Sequence, residues 1–204
     1  MSRKILILIF LSLTCWSVWG QEFGITGSRL FSSNYELEDP YGFGILLAFP
    51  SNSSIKIKFE YNDHRHTRYY FGSLVGGFLV RPPEEESVES RSKTHCYEIS
   101  LNKSLVRSAK LNIYLSLGLH SNTFEVTREG LETGKVIELT PESKWGYLLA
   151  IQPEILLLKN IPLNFYGTIK FKQFFTSSII LDAENPFDES FDLSEIQLGF
   201  LVKI

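Results

Sequence analysis

An all-β fold, a closed antiparallel up-and-down barrel that crosses a membrane, is the class this sequence predicts, on three observations. The first is Lys110–His120, KLNIYLSLGLH, where Leu111, Ile113, Leu115, Leu117 and Leu119 alternate strictly with Asn112, Tyr114, Ser116, Gly118 and His120. A period of two belongs to a strand; a helix would scatter these leucines around its axis. One face is all large aliphatics and the other holds an amide, a phenol, a hydroxyl, a glycine and an imidazole. That is an inside-out strand, apolar toward lipid and polar toward the interior. The second observation is that no run after residue 20 approaches the ~20 apolar residues of a spanning helix; Gly146–Ile151 and Ile155–Leu158 are far too short. In a membrane this leaves the closed barrel, the other structure that satisfies every backbone hydrogen bond. The third is that the alternation returns along the chain, most cleanly in Ser54–Asn62, with Ile55, Ile57, Phe59 and Tyr61 against Lys56, Lys58, Glu60 and Asn62.

Residues 1–20 read as a secretory signal peptide. Arg3 and Lys4 form a basic start, Ile5–Thr14 is apolar or hydroxylic, and Val18 and Gly20 stand at −3 and −1 of a cleavage site before Gln21. Cys15 follows Ser12-Leu13-Thr14, a poor match to a lipidation site. Residues 21–204 then form one domain. Removing two positive charges takes the net charge from −3 to −5, which argues against nucleic acid as a partner, since phosphate binding needs clustered Lys and Arg. Cys96 is left alone, so no intrachain disulfide is expected.

Nine segments compete to be strands. Glu22–Ser32 opens with Phe23 and Ile25 alternating against Glu22, Gly24 and Thr26. Tyr41–Phe49 sets Tyr41, Phe43, Ile45, Leu47 and Phe49 against Gly42, Gly44, Leu46 and Ala48, and Pro50–Ser53 turns the chain into Ser54–Asn62. Arg68–Val80 is apolar but does not alternate, with Gly72, Gly76 and Gly77 breaking it. His95–Leu101 puts Tyr97, Ile99 and Leu101 against Cys96, Glu98 and Ser100. Lys110–His120, Trp145–Leu157, Leu163–Lys172 and Ile196–Ile204 complete the set.

Single-chain bacterial barrels have an even number of strands, with short periplasmic turns and longer outer loops. Ser51–Ser53, Asn102–Ala109 and Lys159–Ile161 are compact, and two of them carry Lys103, Arg107 and Lys159; the connections 33–40, 128–143 and 174–190 are longer, polar and acidic. Keeping that alternation places everything between Asn62 and Thr94 on the outer side. Arg68–Val80 becomes an elaborated loop, or an extension of the wall above the membrane. Eight strands are expected; ten is the alternative, with Arg68–Val80 recruited into the wall.

Gln197-Leu198-Gly199-Phe200-Leu201-Val202-Lys203-Ile204 resembles the C-terminal strand signal read by outer-membrane assembly machinery, with Val202 and Ile204 where aromatics are usual. Together with YGFGILLAFP, SIKIKFEY, YEISL and KLNIYLSLGL, it makes the chain similar to the small outer-membrane β-barrel families, OmpX-like in architecture and PorT-like in rhythm. The resemblance implies a bacterial outer-membrane location, lipid and the assembly machinery as partners, and a monomer. It implies little about activity, because such barrels differ mostly in their outer loops.

On these parities Glu22, Glu60, Glu98, Glu154 and Glu195 point inward, with Lys56, Lys58, Lys170, Lys172 and Lys203. Eight strands enclose a lumen that side chains can fill, so an occluding ion-pair network is expected, with Tyr114 and Tyr166 adding bulk. Three constellations are candidates for chemistry. Asp63-His64-Arg65-His66 has two imidazoles at a spacing that could serve a metal, but a third ligand is missing and a solvated loop is expected. His120-Ser121-Asn122 resembles the His and Ser of outer-membrane lipid A deacylases, yet those space the pair as H-x-S; adjacent residues of a strand point apart and cannot form a nucleophile–base pair. Glu84-Glu85-Glu86 with Glu89, after Arg81-Pro82-Pro83, reads as a soluble loop tip. No catalytic, cofactor or metal residues are assigned. The expectation is a non-enzymatic barrel displaying acidic loops; an outer-leaflet lipid-modifying enzyme or a small-solute or lipid transporter is the alternative.

Overall fold

The computed structural model describes residues 21–32, 40–50, 54–71, 73–75, 78–80, 87–131, 133–134, 136–139, 143–158, 162–175 and 192–203. The expected signal peptide, Glu84–Glu86 and most of the expected acidic loops lie outside them. The strands are β1 (Glu22–Ser32), β2 (Tyr41–Pro50), β3 (Ile55–Phe71), β4 (Ser73–Val75), β5 (Phe78–Val80), β6 (Ser87–Arg107), β7 (Leu111–Gly130), β8 (Val136–Leu139), β9 (Lys144–Leu158), β10 (Leu163–Phe174) and β11 (Asp192–Lys203). Eight form the wall, in the cyclic order β1-β2-β3-β6-β7-β9-β10-β11, and the β1–β11 pairing closes the ring. Every pairing is antiparallel and joins strands that follow one another in the wall, which is the up-and-down barrel of eight expected.

The register fixes the barrel's shape. A row of paired residues leaves β7 at Asn122 and runs through Cys96, Asn62, Gly44, Thr26, Gly199, Tyr166 and Glu154. It returns to β7 at Asn112, ten residues lower. A stagger of ten over eight strands tilts them by about 40° to the axis and leaves an interior only wide enough for side chains.

The alternation read from the sequence is the alternation of burial. Phe43 is 81% exposed and Leu117 62%, while Tyr114, Ser116 and His120 on the opposite face of β7 are buried. Aromatics gather at strand ends on the outer face: Phe23, Phe49, Phe165 and Phe200 toward the short-turn end, and Tyr41, Tyr61, Tyr97, Trp145 and Tyr147 toward the other. Such paired girdles flank the apolar band of a barrel in a bilayer.

Three strands outgrow that band. Beyond Tyr61, Tyr97 and Leu119, the outward positions of β3, β6 and β7 become Asp63, Arg65, Lys93, His95 and Glu125. These are joined by the pairs Arg65–Asp63 (2.7 Å), Arg91–Glu89 (2.8 Å) and Lys93–Glu125 (4.0 Å). Charge at outward positions that carry Leu, Ile and Tyr lower on the same strands puts this sheet beyond the apolar band. β8 adds a fourth strand along Val126–Glu129, and β4–β5 form a separate hairpin. Of the two roles expected for Arg68–Val80, the part through Phe71 is wall extension.

Two boundaries differ from the sequence expectation. Asn102–Ala109 is not a compact turn: β6 stays paired with β7 to Arg107, through a bulge at Ser104/Val106. The turn is Ser108–Lys110, held by the Ser108 N–H on Leu111 O at 2.9 Å. β3 does not stop at Asn62, which moves His64 out of the expected loop and into the barrel.

Candidate functional site

The chemistry-bearing residues lie in the lumen, and the eight strands stack them in tiers. At the short-turn end, the Lys56 ammonium lies 2.7 Å from Glu22 and 3.1 Å from Glu154, over the Tyr114 ring at 4.4 Å from its centroid. Above it an apolar patch of Leu46, Ala48, Tyr166 and Leu201 fills one side. Gln152 on the other side accepts from Lys58 at 2.8 Å.

The centre is a closed ionic cluster of three lysines and three glutamates. Lys170 reaches Glu60 and Glu98, each at 2.6 Å, and Glu195 at 3.8 Å. Lys172 reaches Glu98 at 2.5 Å and also pairs with Glu195; Lys58 lies 3.3 Å from Glu60. Gln197 donates to Glu195 at 2.6 Å and to Glu60. All six charged side chains are at most 3% exposed. Desolvating six charges costs several kcal/mol apiece, and only close, multiply hydrogen-bonded pairing offsets it.

Next comes a tier that sequence reasoning placed elsewhere. The fully buried His64 has Nε2 2.8 Å from Ser28 Oγ and 3.5 Å from Glu195 Oε1. Serine, imidazole and carboxylate are the parts of a hydrolytic triad, but a triad puts the acid on the nitrogen opposite the serine. Here both approach Nε2 and Nδ1 has no hydrogen-bond partner. His120 lies 3.3 Å from the Gln173 carbonyl and edge-on to Phe174. The ladder is regular through His120 and Ser121, which pair with Gly146 and Trp145, so the two side chains leave β7 on opposite sides. Buried Leu30, Leu193, Phe124 and Leu148 occupy the upper lumen.

Of the ten expected inward charges, nine are buried and one is not. Lys203 is exposed, because it is the last residue of β11 and stands at the mouth of the lumen. Ser28, Gln152 and Gln197 were missed although their parity is inward; a count of charges passes over neutral residues. Cys96 is buried between Glu98 and Lys172, 3.3 Å from each. Among the described residues no three His, Cys, Asp or Glu converge as a metal site. His66 shares the strand face of His64 two residues on, but His64 is already engaged by Ser28 and Glu195.

Fold and lumen together define a small eight-stranded barrel of the outer-membrane architecture with a side-chain-filled interior. The chain is similar in structure to a major outer membrane protein from Thermus thermophilus, with a TM-score of 0.60 and 10% identity over 90% of this chain and 99% of that one. Neisserial surface protein A gives 0.57 and 10%, over 92% and 98%. Ail, the attachment invasion locus protein of Yersinia pestis, gives 0.53 and 11%, over 91% and 97%. No protein-family model and no curated protein matches the sequence.

Proposed function

We propose that this is a closed, non-enzymatic barrel of the bacterial outer membrane, a monomer that holds the β3–β6–β7–β8 sheet and the outer loops at the cell surface. The observation that carries the reading is the buried cluster of Lys58, Lys170 and Lys172 with Glu60, Glu98 and Glu195, which fills the cross-section with paired charge. A conducting pore needs water there. A lipid-modifying enzyme needs a nucleophile and base on one accessible face; Ser121 and His120 diverge, and Ser28–His64 is sealed. Likeness to a surface protein and to an attachment protein supports a role exerted beyond the membrane. Gln197–Ile204 is the segment offered to the assembly machinery, and the acidic loops belong to this display reading.

The test is twofold. The protein should fractionate with outer membranes and show heat-modifiable gel mobility. In a planar bilayer it should give no steady open level. A stable, ion-selective conductance would overturn the closed-barrel reading, and recovery as a soluble periplasmic species would overturn the location.

A further inference from the structure

The short-turn end of the lumen is a cup of about 320 Å³ beneath the ionic plug, within the ~300–1,000 Å³ range of small-molecule sites. Its charge is divided by depth. On the floor, one ammonium, Lys56, is shared between two carboxylates, Glu22 at 2.7 Å and Glu154 at 3.1 Å, so the floor carries an excess of one negative charge. At the rim stand Arg107, Lys110 and Lys203, all exposed and all lining the cup, and Lys110 and Lys203 have no ion-pair partner among the described residues.

An acidic floor under a basic rim is complementary to a short zwitterion that enters cation first. We propose that this cup binds a phosphoethanolamine group, its ammonium on the Glu22 carboxylate, which holds Lys56 through Oε2, and its phosphate between Lys110 and Lys203. The phosphate is the group that discriminates. Two ammoniums on flexible stems can both approach one dianion, whereas a carboxylate zwitterion offers them a single charge. The source is either a free phosphoethanolamine solute or the headgroup of a bilayer phospholipid folded over the rim. The site's chemistry does not depend on which side of a membrane the mouth faces, so it stands apart from the location proposed above.

The experiment is calorimetric titration of the full-length folded barrel in octyl glucoside, a detergent without phosphate, with O-phosphoethanolamine, inorganic phosphate and ethanolamine. Phosphoethanolamine should bind at least tenfold tighter than either half alone. Lys110→Ala/Lys203→Ala should lower that affinity at least tenfold while heat-modifiable mobility, the marker of the folded barrel, is retained. Glu22→Gln should weaken phosphoethanolamine and leave inorganic phosphate unchanged. Equal affinity for phosphate and phosphoethanolamine, no binding, or unchanged binding by the folded double variant would overturn the proposal. Repeating the titration in nanodiscs of phosphatidylethanolamine and of phosphatidylcholine separates the sources. Weaker apparent binding in the first indicates a headgroup already seated, and equal binding in both indicates a free solute.

Discussion

Lys170 of β10 and Glu98 of β6 meet at 2.6 Å across the width of the barrel, on strands three places apart around the wall. Glu98 is held from two sides: Lys170 takes Oε2, and Lys172, two residues along the same face of β10, takes Oε1 at 2.5 Å. A single carboxylate thereby pins one strand to two successive levels of another. Since Lys170 also holds Glu60 of β3, the cluster ties together strands that share no backbone hydrogen bonds.

Removing Lys170 should therefore cost more than one contact. Lys170→Met leaves Glu60 and Glu98 buried with reduced compensation and should destabilise the barrel by about 3–5 kcal/mol, the usual cost of orphaning a buried charge. Lys170→Met/Glu98→Gln should recover part of that loss, because the variant then carries one fewer unpaired carboxylate. Urea unfolding in lipid vesicles measures both. Additive effects of the two substitutions would show that they are not coupled.

A second consequence concerns His64 and the residue opposite it. His64 pairs with Gly42 across the β2–β3 ladder, and a Cβ on Gly42 would stand 2.8 Å from His64 Cγ and 2.9 Å from the Asp63 carbonyl. The glycine is the space into which the imidazole packs, on its way to Ser28. Gly42→Ala should destabilise by about 1–3 kcal/mol, as overpacked cores do. Gly27→Ala is the control: it meets nothing within 4 Å and should be neutral or stabilising by a few tenths to about 1 kcal/mol. Comparable losses from the two would sink the packing argument.

These interior relationships differ in how far the sequence reveals them. Wherever the wall lies in hydrocarbon, lipid demands an apolar outward face, and the contrast with the polar interior writes the strand as a period of two; Leu111–His120 and Ile55–Asn62 are legible for that reason. Above Tyr61 the demand lapses. Asp63, His64, Arg65 and His66 are polar on both parities because β3 has risen above the apolar band, and nothing in the pattern separates such a strand from a solvated loop. The turn at Ser108–Lys110 is obscured in the same way by the rim residues Lys103, Ser104 and Arg107. Parity also names the inward lysines and glutamates without naming their pairs. Lys170 meets Glu98 only because the register closes with a stagger of ten, a property of eight strands together.

Cys96 offers a direct probe of the plug. Its thiol is 1% exposed, donates to Glu98 Oε1 at 3.3 Å, and lies 3.3 Å from the Lys172 ammonium. Thiol reactivity needs access as well as thiolate. A maleimide reagent should leave Cys96 of the folded barrel, prepared without residues 1–20, unlabelled for hours and modify it within minutes after boiling in detergent. Rapid labelling of the folded form would mean that solvent reaches the centre of the lumen, contrary to the paired-charge filling.

The facing of β7 can be tested by depth. Leu117 is 62% exposed on the outer face and pairs with Leu101 and Leu149, both exposed and apolar, well inside the aromatic girdles. Val106 is also exposed on the outer face, but it lies at the bulged lower end of β6, one residue before the strand ends. An arginine at the midplane of a barrel wall costs about 2–4 kcal/mol, and near the interface about 0–1 kcal/mol, because there the guanidinium reaches water. Leu117→Arg should accordingly lower unfolding stability in lipid vesicles by about 2–4 kcal/mol and Val106→Arg by less than about 1 kcal/mol. The difference, rather than either value, carries the information, since both replace an apolar side chain by the same cation on neighbouring strands. If the two variants lost equal stability, the outer surface would not be graded by depth, and the apolar band between the girdles would not be the part that meets lipid.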